Sequence, residues 1–176
     1  FVLVLVIPLI TMRLIAEERR TGSIELLLSA PLTSTQIVLG KFVGAYAFVL
    51  CLLVLIVAMP TSLALGATLD VGQMFAGSLA LVILSATFTS TGLYMSTLTA
   101  QPFMAAVSTF GLLLFAWLID AGVEPDGVLA YLSVLNHFRG LLRGVIDSRD
   151  LAYFALINIA LITLAVRRFN AGRTPL

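Results

Sequence analysis

The chain has 176 residues, of which 60% are hydrophobic and 11% are charged, whereas a soluble domain carries about 25% charged residues. A soluble fold of this size could not bury so much apolar surface, so lipid must surround much of the chain. No basic run suggests nucleic acid as a partner, and the single cysteine, Cys51, excludes an intrachain disulfide and a metal site built on cysteines.

Five hydrophobic segments follow one another along the chain and are predicted to be membrane helices. Two stretches, Phe42–Leu69 and Val71–Ile119, contain no Asp, Glu, Lys or Arg, and each crossing of the hydrocarbon needs about 20 apolar residues. Backbone groups in lipid must pair internally, which favours helices, and the alternation of a transmembrane barrel is absent. The five segments comprise residues 1–11, 37–65, 74–98, 103–119 and 151–166.

The first segment begins at Phe1, inside an apolar run of about ten residues. Such a run is too short to cross a bilayer. It contains no initiator Met and no basic n-region of a signal peptide. We therefore expect a fragment that lacks at least the start of one span.

A charge-dense connector, Arg13–Pro31, separates the first two segments. It holds six of the nineteen charged residues of the chain (10 Lys or Arg and 9 Asp or Glu). We predict a short amphipathic helix over Arg13–Arg20, a break at Gly22, and a second short helix along the membrane surface that ends at Pro31. A connector with this charge lies in water, where other proteins can contact it.

The helix after the connector is predicted to begin at a capping box formed by Thr33 and Gln36. Lys41 lies close enough to the start of this helix for its ammonium group to reach the membrane interface. The helix then continues as the second hydrophobic segment.

Gly40 and Lys41 superficially resemble the end of a P-loop. However, Thr35 stands where the first glycine is required, and Phe42 follows instead of Ser or Thr. The chain itself therefore offers no nucleotide site. No pair of catalytic carboxylates and no pairing of a nucleophile with His is visible.

The third segment is rich in small hydroxyl side chains. They could line a polar path, or they could let helices approach closely and bond to each other. Close packing is the more frequent explanation. The main candidates are Thr87, Ser90, Thr91 and Ser96.

Residues 128–150 carry too many charges for an ordinary spanning helix, although apolar residues recur at helical spacing. We predict short interfacial or re-entrant helices here. His137 and its neighbouring arginines, Arg143 among them, could form a proton relay or an anion site. Pairing with Asp147 and Asp150 at the outer interface is the more ordinary explanation, because Arg143 and Asp147 are four residues apart on one helix.

The distribution of Lys and Arg predicts that the connector and the C-terminus are cytoplasmic, under the positive-inside rule. The basic residues on that side are Arg13, Arg19, Arg20, Lys41, Arg167, Arg168 and Arg173. The opposite side holds Asp70, Asp120, Glu124 and Asp126.

The chain resembles the permease subunits of ABC-2 type ABC transporters over essentially its whole length. The resemblance rests on a span followed by R-L-I-A-E-E-R-R-T-G-S-I-E-L-L-L-S-A-P and then T-S-T-Q-I-V-L-G-K-F. It is closest to the branch that includes the gliding-motility and nitrous-oxide-reductase-maturation permeases, which Asn136-His137-Phe138 and Arg143-Gly144-Val145-Ile146-Asp147 also resemble. It implies one transmembrane domain over residues 1–176, an all-α polytopic bundle with six spans and cytoplasmic ends in the intact chain.

The resemblance also implies a half-transporter, in which two permease chains, identical or different, form the path and two ATPase chains dock on the cytoplasmic face. ATP and Mg would be bound by the ATPase, so this chain would be neither an enzyme nor a cofactor-binding protein. The coupling element would comprise Glu17, Glu18, Arg19, Arg20, Thr21, Gly22 and Glu25. An external re-entrant element would comprise His137, Phe138, Arg143, Gly144, Asp147 and Asp150.

These observations predict a permease in the cell membrane of a prokaryote, with export as the expected direction. Two other classes stay open. An ion-coupled secondary transporter would need an ionisable residue within a span, and the middle of the spans offers none. A membrane anchor or assembly factor without transport is compatible with a hydroxyl-rich span that serves only packing.

Overall fold

The computed structural model describes residues 2–24, 32–63, 71–122, 134–142 and 147–171. Every regular element within these ranges is an α-helix, which confirms the predicted all-α class. Among the described residues the helices are α1 (Val2–Thr11), α2 (Ala16–Thr21), α3 (Ser34–Leu63), α4 (Val71–Leu98), α5 (Pro102–Gly122), α6 (Val134–Leu142) and α7 (Ser148–Ala171).

Three of these helices are long and apolar enough to cross a membrane, so the chain is a polytopic helical membrane bundle. Their membrane-compatible parts are Ser34–Met59 in α3, Gly72–Leu98 in α4 and Ser148–Ala171 in α7. The apolar part of α5, Pro102–Leu118, is shorter, and α1 has 10 residues. The count of five hydrophobic segments as crossings therefore stays a prediction for α1 and α5.

The helix ends differ from the predicted spans in a consistent way. The last segment was expected over residues 151–166, but α7 runs from Ser148 to Ala171 and includes Arg167 and Arg168. Hydropathy falls at the first charged residue, whereas the helical backbone continues into the interface, where charged side chains reach water.

The N-terminus of α3 confirms the capping box. The backbone N–H of Thr33 donates to Gln36 Oε1 at 3.0 Å, and the backbone N–H of Gln36 donates to Thr33 Oγ1 at 3.3 Å. The two side chains thus satisfy donors that have no partner in the first turn of a helix. Because Thr33 is the cap, the helix begins at Ser34, three residues before the expected start of the span.

The connector is partly different from its prediction. The expected helix over Arg13–Arg20 is shorter and begins at Ala16, because the preceding residues form a turn in which the Leu14 N–H bonds to the Thr11 carbonyl at 3.2 Å. The break at Gly22 is confirmed, since this residue ends α2 with φ of 74°, a conformation that favours glycine. The predicted second short helix lies outside the described residues, apart from Ile24.

The fourth helix, α4, is the centre of the bundle. Half of its apolar window is buried, against 17% for α3 and 11% for α7. It contributes Ala80, Leu84 and Phe88 to an apolar core that also receives side chains from α1, α3, α5 and α7. The other helices therefore pack against α4, and in a membrane their outward faces would contact lipid.

A glycine lets α1 approach α4. A Cβ placed on Gly92 would lie 2.7 Å from Thr11 Cβ and would collide with the Thr11 hydroxyl. That hydroxyl is fully buried and donates to the Ile7 carbonyl at 2.9 Å. The contact therefore needs a residue without a side chain at position 92.

We expect Gly92→Ala to lower the free energy of unfolding by about 1–3 kcal/mol, the usual cost of overpacking a well-packed site. Thermal unfolding in detergent would measure the loss. Gly111→Ala is the matched control, because its Cβ would meet no atom within 4 Å and alanine favours a helix. An equal midpoint for the two variants would contradict the close contact between α1 and α4.

Candidate functional site

The described part of the connector is anchored to three spans through an apolar cluster. Ile15 and Ala16 are fully buried. Ile15 packs with Ile37 and Val38 of α3, with Leu93 of α4, and with two residues near the end of α7, Ala165 and Phe169. The N-cap of helix α2 is therefore packed between one end each of α3, α4 and α7.

A hydroxyl of α4 holds the N-terminus of α2. Ser96 Oγ accepts hydrogen bonds from the backbone N–H groups of Ile15 and Ala16, each at 3.0 Å, and donates to the Met12 carbonyl at 3.2 Å. Ile15 is the N-cap residue of α2 and supplies no side-chain cap of its own. Ser96 thus performs the capping function across about 80 residues of sequence.

An ion pair links α2 to α3. Lys41 Nζ lies 2.5 Å from Glu18 Oε1, and the two side chains are 20% and 25% exposed. The second oxygen, Glu18 Oε2, is buried and has no hydrogen-bond partner among the described residues. Lys41, whose ammonium group is predicted to reach the interface, is thus paired with the connector.

The charges of α2 face two directions. Burial lowers the pKa of Arg19, and the nearby Arg168 guanidinium of α7 lowers that pKa further, so Arg19 faces the bundle. Glu17 and Arg20 form an ion pair of 2.8 Å, with exposed fractions of 32% and 62%. This pair forms the accessible charged face of the helix.

A cleft lies between the connector and the turn that joins α4 to α5. Its volume is about 470 Å³. Its polar groups belong chiefly to the connector, and its apolar groups come from both sides. The lining residues are Met12, Arg13, Glu17, Arg20, Gln101, Pro102 and Phe103. The cleft is large enough to admit side chains of a docking protein.

The structure brings most of the predicted coupling residues together. Residues 17–22 form α2 and its C-cap, and Thr21 Oγ1 donates to the Glu17 carbonyl at 2.9 Å. Glu25 lies outside the described residues. Only part of the set is accessible, because Glu18 and Arg19 are directed towards α3 and α7.

At the other end of the bundle, α6 is joined to the start of α7. His137 Nδ1 lies 2.6 Å from Asp150 Oδ1, and the His137 ring stacks on Tyr153 with 4.3 Å between the ring centroids. Phe138 packs on the main apolar core. The cluster therefore attaches α6 to the bundle, with His137 as the partner of Asp150.

The remaining predicted residues of this external element have separate positions. Asp147 Oδ1 accepts the backbone N–H of Arg149 at 3.1 Å, so Asp147 caps the start of α7. Arg143 and Gly144 lie outside the described residues, and the expected pairing of Arg143 with Asp147 therefore stays a prediction.

The hydroxyl groups of α4 divide into two sets. Thr87 and Ser90 bond to Asn158 of α7. Asn158 Nδ2 donates to Thr87 Oγ1, and Ser90 Oγ donates to Asn158 Oδ1, each at 2.9 Å. Thr91 donates to the Thr87 carbonyl at 2.8 Å. Ser96 instead contacts the connector. All four are buried in this chain.

Asn158 is a functional candidate that the sequence analysis did not identify. Its amide also donates to the Phe154 carbonyl at 2.8 Å, so it makes bonds within α7 and across to α4. An amide in the middle of an apolar span is uncommon enough to mark an interhelical contact, and this signal was present in the sequence. Within the described ranges, no three His, Cys, Asp or Glu residues lie close enough to hold a metal ion.

We expect Lys41→Met to loosen the connector, because it leaves the half-buried Glu18 carboxylate without its cation. The cost should be about 1 kcal/mol, near the upper end for partly exposed pairs. Hydrogen–deuterium exchange over residues 16–21 would detect the loosening as faster exchange. Exchanging the charges, with Glu18→Lys and Lys41→Glu together, should restore most of the protection, and failure of both effects would show that the pair is not stabilising.

Comparison with known proteins agrees with this arrangement of spans and connector. A family model described as ABC-2 family transporter protein matches residues 1–166. No curated protein and no solved structure matches the chain. The family match covers most of the 176 residues. The chain belongs to the ABC-2 transporter family and is a multi-pass membrane component of such a transporter.

Proposed function

We propose that the chain is the permease subunit of an exporter and that a separate ATPase drives it by docking on the connector. The observation that carries the proposal is the two-sided character of α2. One side is bound to α3, α4 and α7 through Ile15, Ser96 and Lys41. The other side presents the exposed pair of Glu17 and Arg20.

Such a helix suits the transfer of force from a water-soluble partner to membrane spans. A charged outer face can form charge-assisted hydrogen bonds with a protein surface. The inner face makes the spans follow the helix, because moving α2 alone would expose buried apolar groups and break buried hydrogen bonds. The adjacent cleft of about 470 Å³ extends the accessible surface to the turn between α4 and α5.

ATP and Mg would belong to the partner. The only lysine in a P-loop-like context, Lys41, lies within α3 and is engaged by Glu18 at 2.5 Å. A phosphate-binding lysine must instead face a loop of free backbone N–H groups. This geometry supports the assignment of nucleotide binding to another chain.

The wider assembly is proposed from the resemblance of the sequence. A second permease chain would complete the path, the connector and C-terminus would face the cytoplasm of a prokaryote, and residues 1–176 would form one domain. Export is proposed because the architecture resembles exporters of the branch that includes gliding-motility and nitrous-oxide-reductase-maturation permeases. Nothing in the chain resembles a binding-protein-dependent importer.

A membrane anchor without transport is the second candidate function. The buried bonds of Thr87 and Ser90 to Asn158 favour an anchor, because these hydroxyls hold helices together rather than line a path within this chain. ATP-dependent changes in the spans of the complex separate the two functions, since an anchor would keep its spans unchanged through the ATPase cycle.

We expect Arg20→Glu to weaken co-purification of the ATPase about tenfold, as for a charge reversal within an interface. The double variant with Glu17→Arg and Arg20→Glu keeps an ion pair within α2 but reverses the pattern that a partner meets. It should therefore bind as poorly as the single variant. Recovery of binding in the double variant would show that only the internal pair matters.

Arg149→Glu is the matched control for this experiment. It makes the same change of charge at an exposed residue near the start of α7, at the opposite end of the bundle from α2. Binding of the ATPase should stay at the level of the unmodified chain. Equal binding by all three variants and the unmodified chain would overturn the docking site.

A further inference from the structure

We propose that Ser96 is the positioning residue through which the connector moves α4, so that α1, α2 and α4 move as one unit. The proposal rests on the proposed function, because it names the route by which a push on α2 reaches the spans. It gives Ser96 a role in coupling, whereas the hydroxyls of Thr87 and Ser90 pack α4 against α7.

The hydrogen bonds of Ser96 use the whole capacity of a hydroxyl group. A serine can donate one hydrogen bond and accept two. Ser96 donates to Met12 O and accepts from the N–H groups of Ile15 and Ala16. One buried side chain therefore binds both the residue after α1 and the first residues of α2.

These three bonds are harder to break than the other links of the connector. The residues Ile15, Ala16 and Ser96 are fully buried, so a lost bond would leave backbone groups without water. The ion pair of Glu18 with Lys41 is partly exposed and can exchange with water. The apolar cluster has no fixed direction, since hydrophobic contacts tolerate sliding.

A second contact on the same face of α4 strengthens the unit. Gly92 and Ser96 are four residues apart, so both lie on one side of the helix. Gly92 admits the side chain of Thr11, the last residue of α1, one turn before Ser96 binds Met12. The end of α1 and the start of α2 are thus held at two successive turns of α4.

The receiving helix is well placed to distribute a movement. Helix α4 is the most buried of the three helices that are long enough to cross a membrane. The side chains of Thr87 and Ser90 bond it to Asn158 of α7. A displacement at Ser96 therefore reaches the core of the bundle directly. The ion pair of Lys41 reaches α3, and the apolar cluster reaches α3, α4 and α7 through contacts without a fixed direction.

Ser96→Ala is the primary variant, and Ser90→Ala is its matched control. Both replace a fully buried serine of α4, but Ser90 bonds to α7 and not to the connector. The complete permease with its ATPase would be placed in lipid nanodiscs. Spin labels at Met59 and Phe75, which are 73% and 69% exposed near the ends of α3 and α4, would report the distance between these spans after Cys51→Ser.

We expect trapping with ATP and vanadate to change this distance in the unmodified chain and in Ser90→Ala. Ser96→Ala should lose most of the change while still binding the ATPase, and Ser96→Thr, which restores the hydroxyl, should recover it. A full change in Ser96→Ala would overturn the proposal. Failure of the proposed function is distinguishable, because then the unmodified chain would either not bind the ATPase or show no change.

A measurement on the unmodified complex tests the proposal without relying on the folding of a variant. Hydrogen–deuterium exchange over residues 12–20 should stay equally slow before and after trapping with ATP and vanadate, since the unit moves without opening. Loss of the bonds to Ser96 would speed this exchange about tenfold. Faster exchange of that size on trapping would show that the joint opens, and the proposal would fail.

Discussion

The arrangement of this protein depends on satisfying backbone groups where the chain leaves the membrane and turns along its surface. Every helix end has N–H or C=O groups without an intrahelical partner, and at the connector two helix ends lie side by side in a buried position. Ser96 meets this need with a single hydroxyl. Together with the Ile15 cluster and the ion pair of Glu18 with Lys41, these bonds fix the position of α2.

Within the described residues, a small set of polar contacts links one helix of the bundle to another. In α4 the hydroxyls of Thr87 and Ser90 bind Asn158, whereas Ser96 binds the connector. At the far end, His137 and Asp150 attach α6 to α7. Because apolar side chains gain little from contacting each other rather than lipid, these polar contacts decide which helices stay together and which can separate.

The features that depend on neighbouring residues could be predicted from the sequence, and those that depend on distant residues could not. Thr33 and Gln36 carry their capping signal within four residues, and Gly22 marks its break alone. By contrast, α2 begins at Ala16, where the backbone N–H donates to Ser96, 80 residues away. Nothing local separates Ser96 from the other hydroxyls of α4, so packing, path and coupling could not be distinguished in advance.

The short length of α2 has a mechanical consequence. Six residues rise about 9 Å along a helix, so Gly22 stands about that far from the joint at Ser96. Because one end of α2 is fixed, the docking partner proposed above would exert a torque on α4 if it pushed near Arg20. The left-handed backbone of Gly22 ends this short arm.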